Sequence, residues 1–163
     1  MRMNDNAPQQ YTDPQAGFTI CVPPGWDIDL SGRQNTRAIF FHPLVVRDFR
    51  SNVNVVVEPI GGMDPAEYYA YCRLQVKRAQ GPPASGAARI TEHPAGGLLL
   101  EYAVAGGQLP LRVLQRILAE GKRAYIVSCT APLDSFETYR PKFEVCLASF
   151  TISREDSPRE TRT

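Results

Sequence analysis

Lys122-Arg-Ala-Tyr-Ile-Val-Ser-Cys-Thr130 is an apolar run that leads through Ala131-Pro132-Leu133 into Phe136, Tyr139, Phe143, Cys146 and Leu147, spaced at three- and four-residue steps. The pattern closes on Leu147-Ala-Ser-Phe-Thr-Ile152. A strand, an amphipathic helix and a closing strand in this order imply a helix laid across a sheet. Asp134-Ser-Phe-Glu137 offers a capping box for the helix start. Pro141 lies inside the stripe and removes one backbone hydrogen bond, so a kink or a restart is expected there.

Working outward, the rest of the chain reads as strands punctuated by proline and glycine. Gly17–Val22 alternates and is stopped by Pro23-Pro24-Gly25, with Trp26 placed to plug the core just past the turn. Asp27–Leu30 is a short continuation. Ala38–His42 is a strand ended by Pro43, and Asn52–Glu58 is one ended by Pro59. A helix is predicted from Pro65 to Gln80, with Asp64 as N-cap, Glu67 completing the capping box and Gly81 as the stop. Its apolar stripe is Tyr68, Tyr69, Cys72, Val76 and Ala79, opposite Arg73 and Lys77. After the loop Gly81–Ala88, the strands Ala88–Glu92, Leu98–Val104, Leu111–Leu118 and Arg123–Cys129 follow on short turns and should pair as an antiparallel meander. The order β-β-β-α-β-β-β-β-α-β repeats no βαβ unit. It predicts an α+β fold with a mostly antiparallel sheet of six to eight strands and two main helices.

Bulk composition sets further bounds. A chain of 163 residues with a hydrophobic fraction of 43% can bury a core without staples. With 18 basic and 17 acidic residues there is no electrostatic case for nucleic acid. No apolar run approaches the roughly 20 residues that span a bilayer, so no stable membrane insertion is expected. Residues 1–10 read as a disordered polar arm without a secretory signal, 11–153 as the domain and 154–163 as a disordered charged tail. A cytoplasmic location follows from that reading. Cys21, Cys72, Cys129 and Cys146 each sit in an apolar segment without a C-x-x-C pair and are expected as buried free thiols.

Gly17-Phe-Thr-Ile-Cys-Val-Pro-Pro-Gly-Trp26 resembles the opening of the PsbP-like superfamily, with its DcrB-like and Mog-type members. Tyr125-Ile-Val-Ser-Cys-Thr-Ala131, then Phe136, Tyr139, Pro141, Phe143 and Leu147-Ala-Ser-Phe150, is similar to its ending. The resemblance implies an α-β-α sandwich used chiefly as a protein-binding platform. Within it, the chain is similar in length to the cytosolic Eag-type chaperones of type VI secretion effectors, which shelter apolar client segments. It differs in a longer, cysteine-containing first helix region and a more basic middle.

No catalytic constellation is legible. His42 and His93 each precede a proline and have no ligand-spaced partner, so no metal and no cofactor is expected. Cys129 lies deep in an apolar strand with no cationic neighbour to lower its pKa. The glycine pairs match no phosphate loop. Tyr68, Tyr69 and Tyr71 read as core and rim in the absence of a basic groove. The segment singled out for binding is Leu111–Leu118: Leu111, Val113, Gln115 and Ile117 share one face, with Arg112, Leu114, Arg116 and Leu118 on the other. Gln115 falls among apolar residues, where its amide needs a partner, either an adjacent strand or a client backbone. The reading is a non-enzymatic adaptor or chaperone with a protein client, compatible with a homodimer. The alternative is a small-ligand or enzymatic domain with a pocket between sheet and helix.

Overall fold

The computed structural model describes residues 7–79, 88–106 and 109–153. The expected helix stop at Gln80-Gly81, most of the Gly81–Ala88 loop, the start of the arm and the charged tail lie outside the described residues. Ten strands and two helices follow in the order β1 (Gln9–Asp13), β2 (Phe18–Val22), β3 (Asp27–Asp29), β4 (Ala38–Phe41), β5 (Asn52–Pro59), α1 (Pro65–Ala79), β6 (Arg89–Glu92), β7 (Leu98–Gly106), β8 (Leu109–Glu120), β9 (Arg123–Pro132), α2 (Phe136–Ser149) and β10 (Thr151–Ile152). Seven strands form one antiparallel sheet in the order β3-β4-β5-β9-β8-β7-β6, and β1-β2-β10 form a second, small one. The fold is α+β, with the helices on opposite faces of the large sheet.

The face assignment follows from strand alternation. Leu114, Tyr125, Val127, Cys129, Val53 and Val55 point one way and pack with Phe136, Phe143, Cys146 and Leu147 of α2 and with Phe18 and Ile20 of β2. Ile117, Ala119, Ala124, Leu98 and Leu100 point the other way and pack with Tyr68 and Cys72 of α1. Of the stripe expected on α1, Tyr68 and Cys72 are buried and Tyr69 and Val76 half-buried, while Tyr71 stays 47% exposed. The Asp64 carboxylate accepts the Glu67 N–H at 2.8 Å, as an N-cap does.

Three local expectations are corrected. Gln9 and Gln10, assigned to the arm, belong to β1 and pair with Val22 and Cys21. Their polar side chains hide a strand that is held by Tyr11, whose ring lies 5.5 Å from that of Phe40. The capping box proposed for α2 does not form: Ser135 is the N-cap and makes no side-chain cap bond. Its hydroxyl donates to the Pro132 carbonyl instead, and the fully buried Phe136 pins the helix start. The helix then runs through Pro141 as one element from Phe136 to Ser149, because buried residues on both sides of the proline hold it to the sheet.

The Arg116 side chain, expected only to share a face with Leu118, is 2% exposed and ties β8 to two other segments. Its Nη1 donates to the carbonyls of Leu147 (2.8 Å) and Phe150 (2.9 Å), its Nη2 to Ala95 (2.8 Å) and its Nε to Gly96 (2.9 Å). A cation at the C-terminal carbonyls of α2 also complements the helix dipole. The turn it grips depends on Gly97, whose φ is +79° and where a Cβ would lie 2.1 Å from the Ile117 carbonyl oxygen. No other residue fits there. A second tie holds the small sheet: Tyr125 Oη donates to the Ala16 carbonyl at 2.9 Å. All four cysteines are free, three of them buried and Cys21 half-buried.

Replacing Arg116 with Met should cost on the order of 2–6 kcal/mol, about one to three for each of the two buried carbonyls left without a donor. Urea denaturation at unchanged slope would measure it, and a loss below about 1 kcal/mol would show that the clamp carries little net stability. Asp64→Ala should cost about 0.5–2 kcal/mol by the same measurement.

Candidate functional site

The α1 side of the large sheet is only half covered. Near Ile117 and Ala119 it lies under α1, where Tyr68 Oη donates to Glu58 at 3.1 Å and Tyr69 Oη accepts the Ala119 N–H at 2.8 Å. Beyond that the register lays two transverse rows across the sheet, their β7 ends at Leu100 and Tyr102 still against the α1 cluster. One is Ile39, Asn54, Ser128, Gln115 and Leu100; the other is Phe41, Asn52, Thr130, Val113 and Tyr102. Directly opposed residues share a face, so amides and hydroxyls run down the centre with apolar and aromatic side chains at the flanks. The floor is linked by hydrogen bonds: Gln115 Nε2 donates to Ser128 Oγ at 2.8 Å and Asn52 Nδ2 to the Arg50 carbonyl at 3.1 Å.

At the β3–β5 end the face deepens into an open trough of about 860 Å³, lined by Asp27, Asp29, Ile39, Phe41, Asn52 and Asn54 among others. Arg50 forms one wall: its guanidinium stacks 5.0 Å over the Phe41 ring, pairs with Asp27, and donates through Nε to the His42 carbonyl at 2.8 Å. The rim is apolar. Ile28, Leu30, Leu44 and Val45 are each 46–57% exposed. Leu44 and Val45 lie in a hairpin extension closed by the Val46–Phe49 bridge, with Arg47 and Asp48 both at positive φ (47° and 63°). A two-residue turn of that hand suits a twisted hairpin, and Arg-Asp is an unusual pair to occupy it.

The four residues singled out in β8 all lie on this face. Leu111 is half-buried beside Val104 and Pro132. Val113 is buried between Tyr102 and Thr130, and Ile117 is buried in the cluster under α1. Gln115 is half-buried and bonded to Ser128, so the adjacent strand supplies the amide's partner. Asn52 and Asn54 went unremarked in the sequence although the signal was present. Asn-Val-Asn-Val places two amides on one face of an otherwise apolar strand, where residues of low strand propensity are out of place.

Burial pushes the Cys129 thiol well above its usual value. Among the described residues no group of three His, Cys, Asp or Glu side chains could hold a metal ion, and no helix is long and apolar enough to cross a membrane. His42, half-buried, faces Trp26 and accepts or donates a 3.2 Å bond with Tyr139 Oη through Nδ1. Burial, then Lys142 and Arg50, hold its imidazole below the ordinary histidine range.

No family profile matches the chain, and no curated protein matches it by sequence. Comparison with solved structures gives the fold. LpqN of Mycobacterium tuberculosis, described as involved in cell envelope biogenesis, superposes with TM-score 0.67 at 15% identity, over 90% of this chain and 91% of its own. The cyanobacterial PsbP of Synechocystis sp. PCC 6803 gives TM-score 0.56 at 19% identity, over 90% of this chain and 93% of its own. The Saccharomyces cerevisiae Ran-binding protein Mog1p gives 0.56 at 11%, over 90% and 96%. The chain also spans 49% of a Bacteroides thetaiotaomicron protein, at TM-score 0.58 and 15% identity. The fold is therefore PsbP-like.

Because the folded-state pKa of His42 is depressed, acid favours the unfolded chain. Stability should be full above the unfolded value of about 6.5 and should fall as pH drops from there through the lower folded value. His93 shifts the same way. A His42→Gln variant should therefore lose less stability than the parent between about pH 7.5 and pH 5, and identical pH profiles would show that His42 is not the titrating group.

Proposed function

We propose that this chain is a non-enzymatic protein-binding domain that holds an apolar client segment along the open half of the α1-side sheet face. The observation that carries the reading is the trough itself. Two exposed aliphatics, Ile28 and Leu30, line it with Ile39, Phe41 and Phe49, and the amides of Asn52 and Asn54 in its lining can satisfy main-chain groups of whatever lies across it. Leu111, Val113, Gln115 and Ile117 continue the same face, with Leu111 and Gln115 its accessible members and Val113 and Ile117 its support. The Ran-binding name of Mog1p is a property of that protein; it supports protein binding as a use for this scaffold. Within the reading, a cytosolic adaptor or chaperone for a secreted, type VI-like effector rests on the resemblance of Gly17–Trp26 and Tyr125–Phe150 alone.

The test is a titration of the isotope-labelled full chain with a lysine-flanked 20-residue Leu-Ala helical peptide. Amide shifts should concentrate at Asn52, Asn54, Gln115 and Ser128. Asn54→Asp is nearly isosteric and places a charge on the floor, so it should weaken binding about tenfold or more with the urea midpoint unchanged. Shifts confined to the α2 side, or full affinity in Asn54→Asp, would remove the trough as the client site.

A further inference from the structure

A second concavity lies on the other side of the large sheet. The seven-stranded sheet is wider than α2 and the small sheet that pack on it, so the β6–β7 edge projects past the helix flank. The cleft between them has a volume of about 200 Å³, too small for a polypeptide and suited to one small molecule. Leu99, Leu114 and Leu147 form its floor, and Arg89, Thr91, His93, Glu101, Arg140 and Glu144 stand around it. It is distinct from the trough in face, size and chemistry.

Its charged groups fall into two sets. Glu101 and Arg140 are already committed: Arg140 Nη1 donates to Glu101 at 2.5 Å and its Nε to Glu137 at 2.8 Å, while Arg112 Nη1 reaches Glu101 at 3.1 Å. These bonds, Arg140 first, hold the Glu101 carboxyl below its usual range. Both guanidiniums lie over the Phe136 ring, at 4.9 and 6.0 Å, which fixes this wall in place. Arg89 and Glu144 are different. Both are exposed, and neither makes an ion pair among the described residues. His93 adds a neutral donor. Its Nδ1 accepts the Ala95 N–H at 3.0 Å, which leaves the ring proton on Nε2, and burial favours the uncharged ring.

Arg89 and Glu144, with the neutral donors Thr91 and His93, line one aliphatic-floored cleft, a set that matches a ligand carrying both charges and an apolar body. We propose that this cleft binds a free α-amino acid with a branched aliphatic side chain. Arg89 takes its carboxylate, Glu144 its ammonium, and Leu99, Leu114 and Leu147 its side chain. Requiring both charges on one small body separates this ligand from fatty acids and from simple amines, each of which would leave one of these two charges without a partner.

The experiment uses the full chain and three probes: L-leucine, 4-methylpentanoate, which lacks the ammonium, and 3-methylbutylamine, which lacks the carboxylate. L-Leucine should shift the amides of Thr91, Leu99 and Leu147 saturably, and each single-charge analogue should bind about tenfold more weakly or worse. Arg89→Gln and Glu144→Gln should each cost a similar factor while leaving the urea midpoint unchanged, since both side chains are exposed. The proposal is overturned if leucine causes no saturable shift, if the shifts lie elsewhere, if the carboxylate analogue binds as well as leucine, or if Glu144→Gln retains full affinity. Because the trough is on the opposite face, Asn54→Asp should leave leucine binding unchanged, so failure of either site reads separately from the other.

Discussion

The buried guanidinium of Arg116 is the constraint on which the rest of the molecule depends. Among the described residues it has no carboxylate partner; four main-chain carbonyls from two separate segments take its donors. Burying a cation without such partners is strongly unfavourable, so the four carbonyls must be present for the side chain to stay inside. In return it satisfies the last carbonyls of α2, which no backbone donor in the helix can reach. The turn at Ala95–Gly97, the end of α2 and the departure of the chain towards β10 are thus set by one side chain from the middle of the sheet. Arginine suits this role because its planar fork offers several donors in fixed directions, where lysine offers a point charge.

That clamp also explains why the two faces of the sheet differ. On the α2 side the helix is fastened at its end by Arg116 and at its start by Phe136, and the small sheet is fastened by Tyr125. These ties make a continuous core over β4, β5, β9 and β8 and leave only the β6–β7 margin uncovered. On the other side α1 is held by Tyr68, Tyr69 and Cys72 over one end of the sheet, and the rest is left open. An amide row is tolerable on an open face because water or a partner can reach it; under a helix it would need internal partners throughout. The distribution of Asn52, Asn54, Gln115 and Ser128 therefore matches the part of the sheet that no helix covers.

The strands and helices were legible in the chain because each has its own local signal: alternation for β4, β5 and β9, a capped amphipathic stripe for α1, and aromatic spacing for α2. β1 was not, since Gln9-Gln10-Tyr11-Thr12-Asp13 has one apolar residue and acquires strand geometry only by pairing with β2. The α2 capping box was legible and did not form, because Ser135 turns its hydroxyl to Pro132. Of the candidate site, the shared face of Leu111, Val113, Gln115 and Ile117 could be read from alternation. Which of them α1 would cover could not, because that depends on where a helix distant in sequence docks.

By itself the sequence determined the period of every long element, the antiparallel class of the sheet and the absence of any spaced catalytic motif, since these rest on neighbours within a few positions. Only the tertiary structure decided that Arg116 is buried, that Asn54, Ser128 and Gln115 form one row, and that Arg89 and Glu144 line one cleft. The physical reason is range. Alternation and capping act over two to four residues, whereas a guanidinium or an amide meets its environment across strands and helices that sequence distance does not bring together.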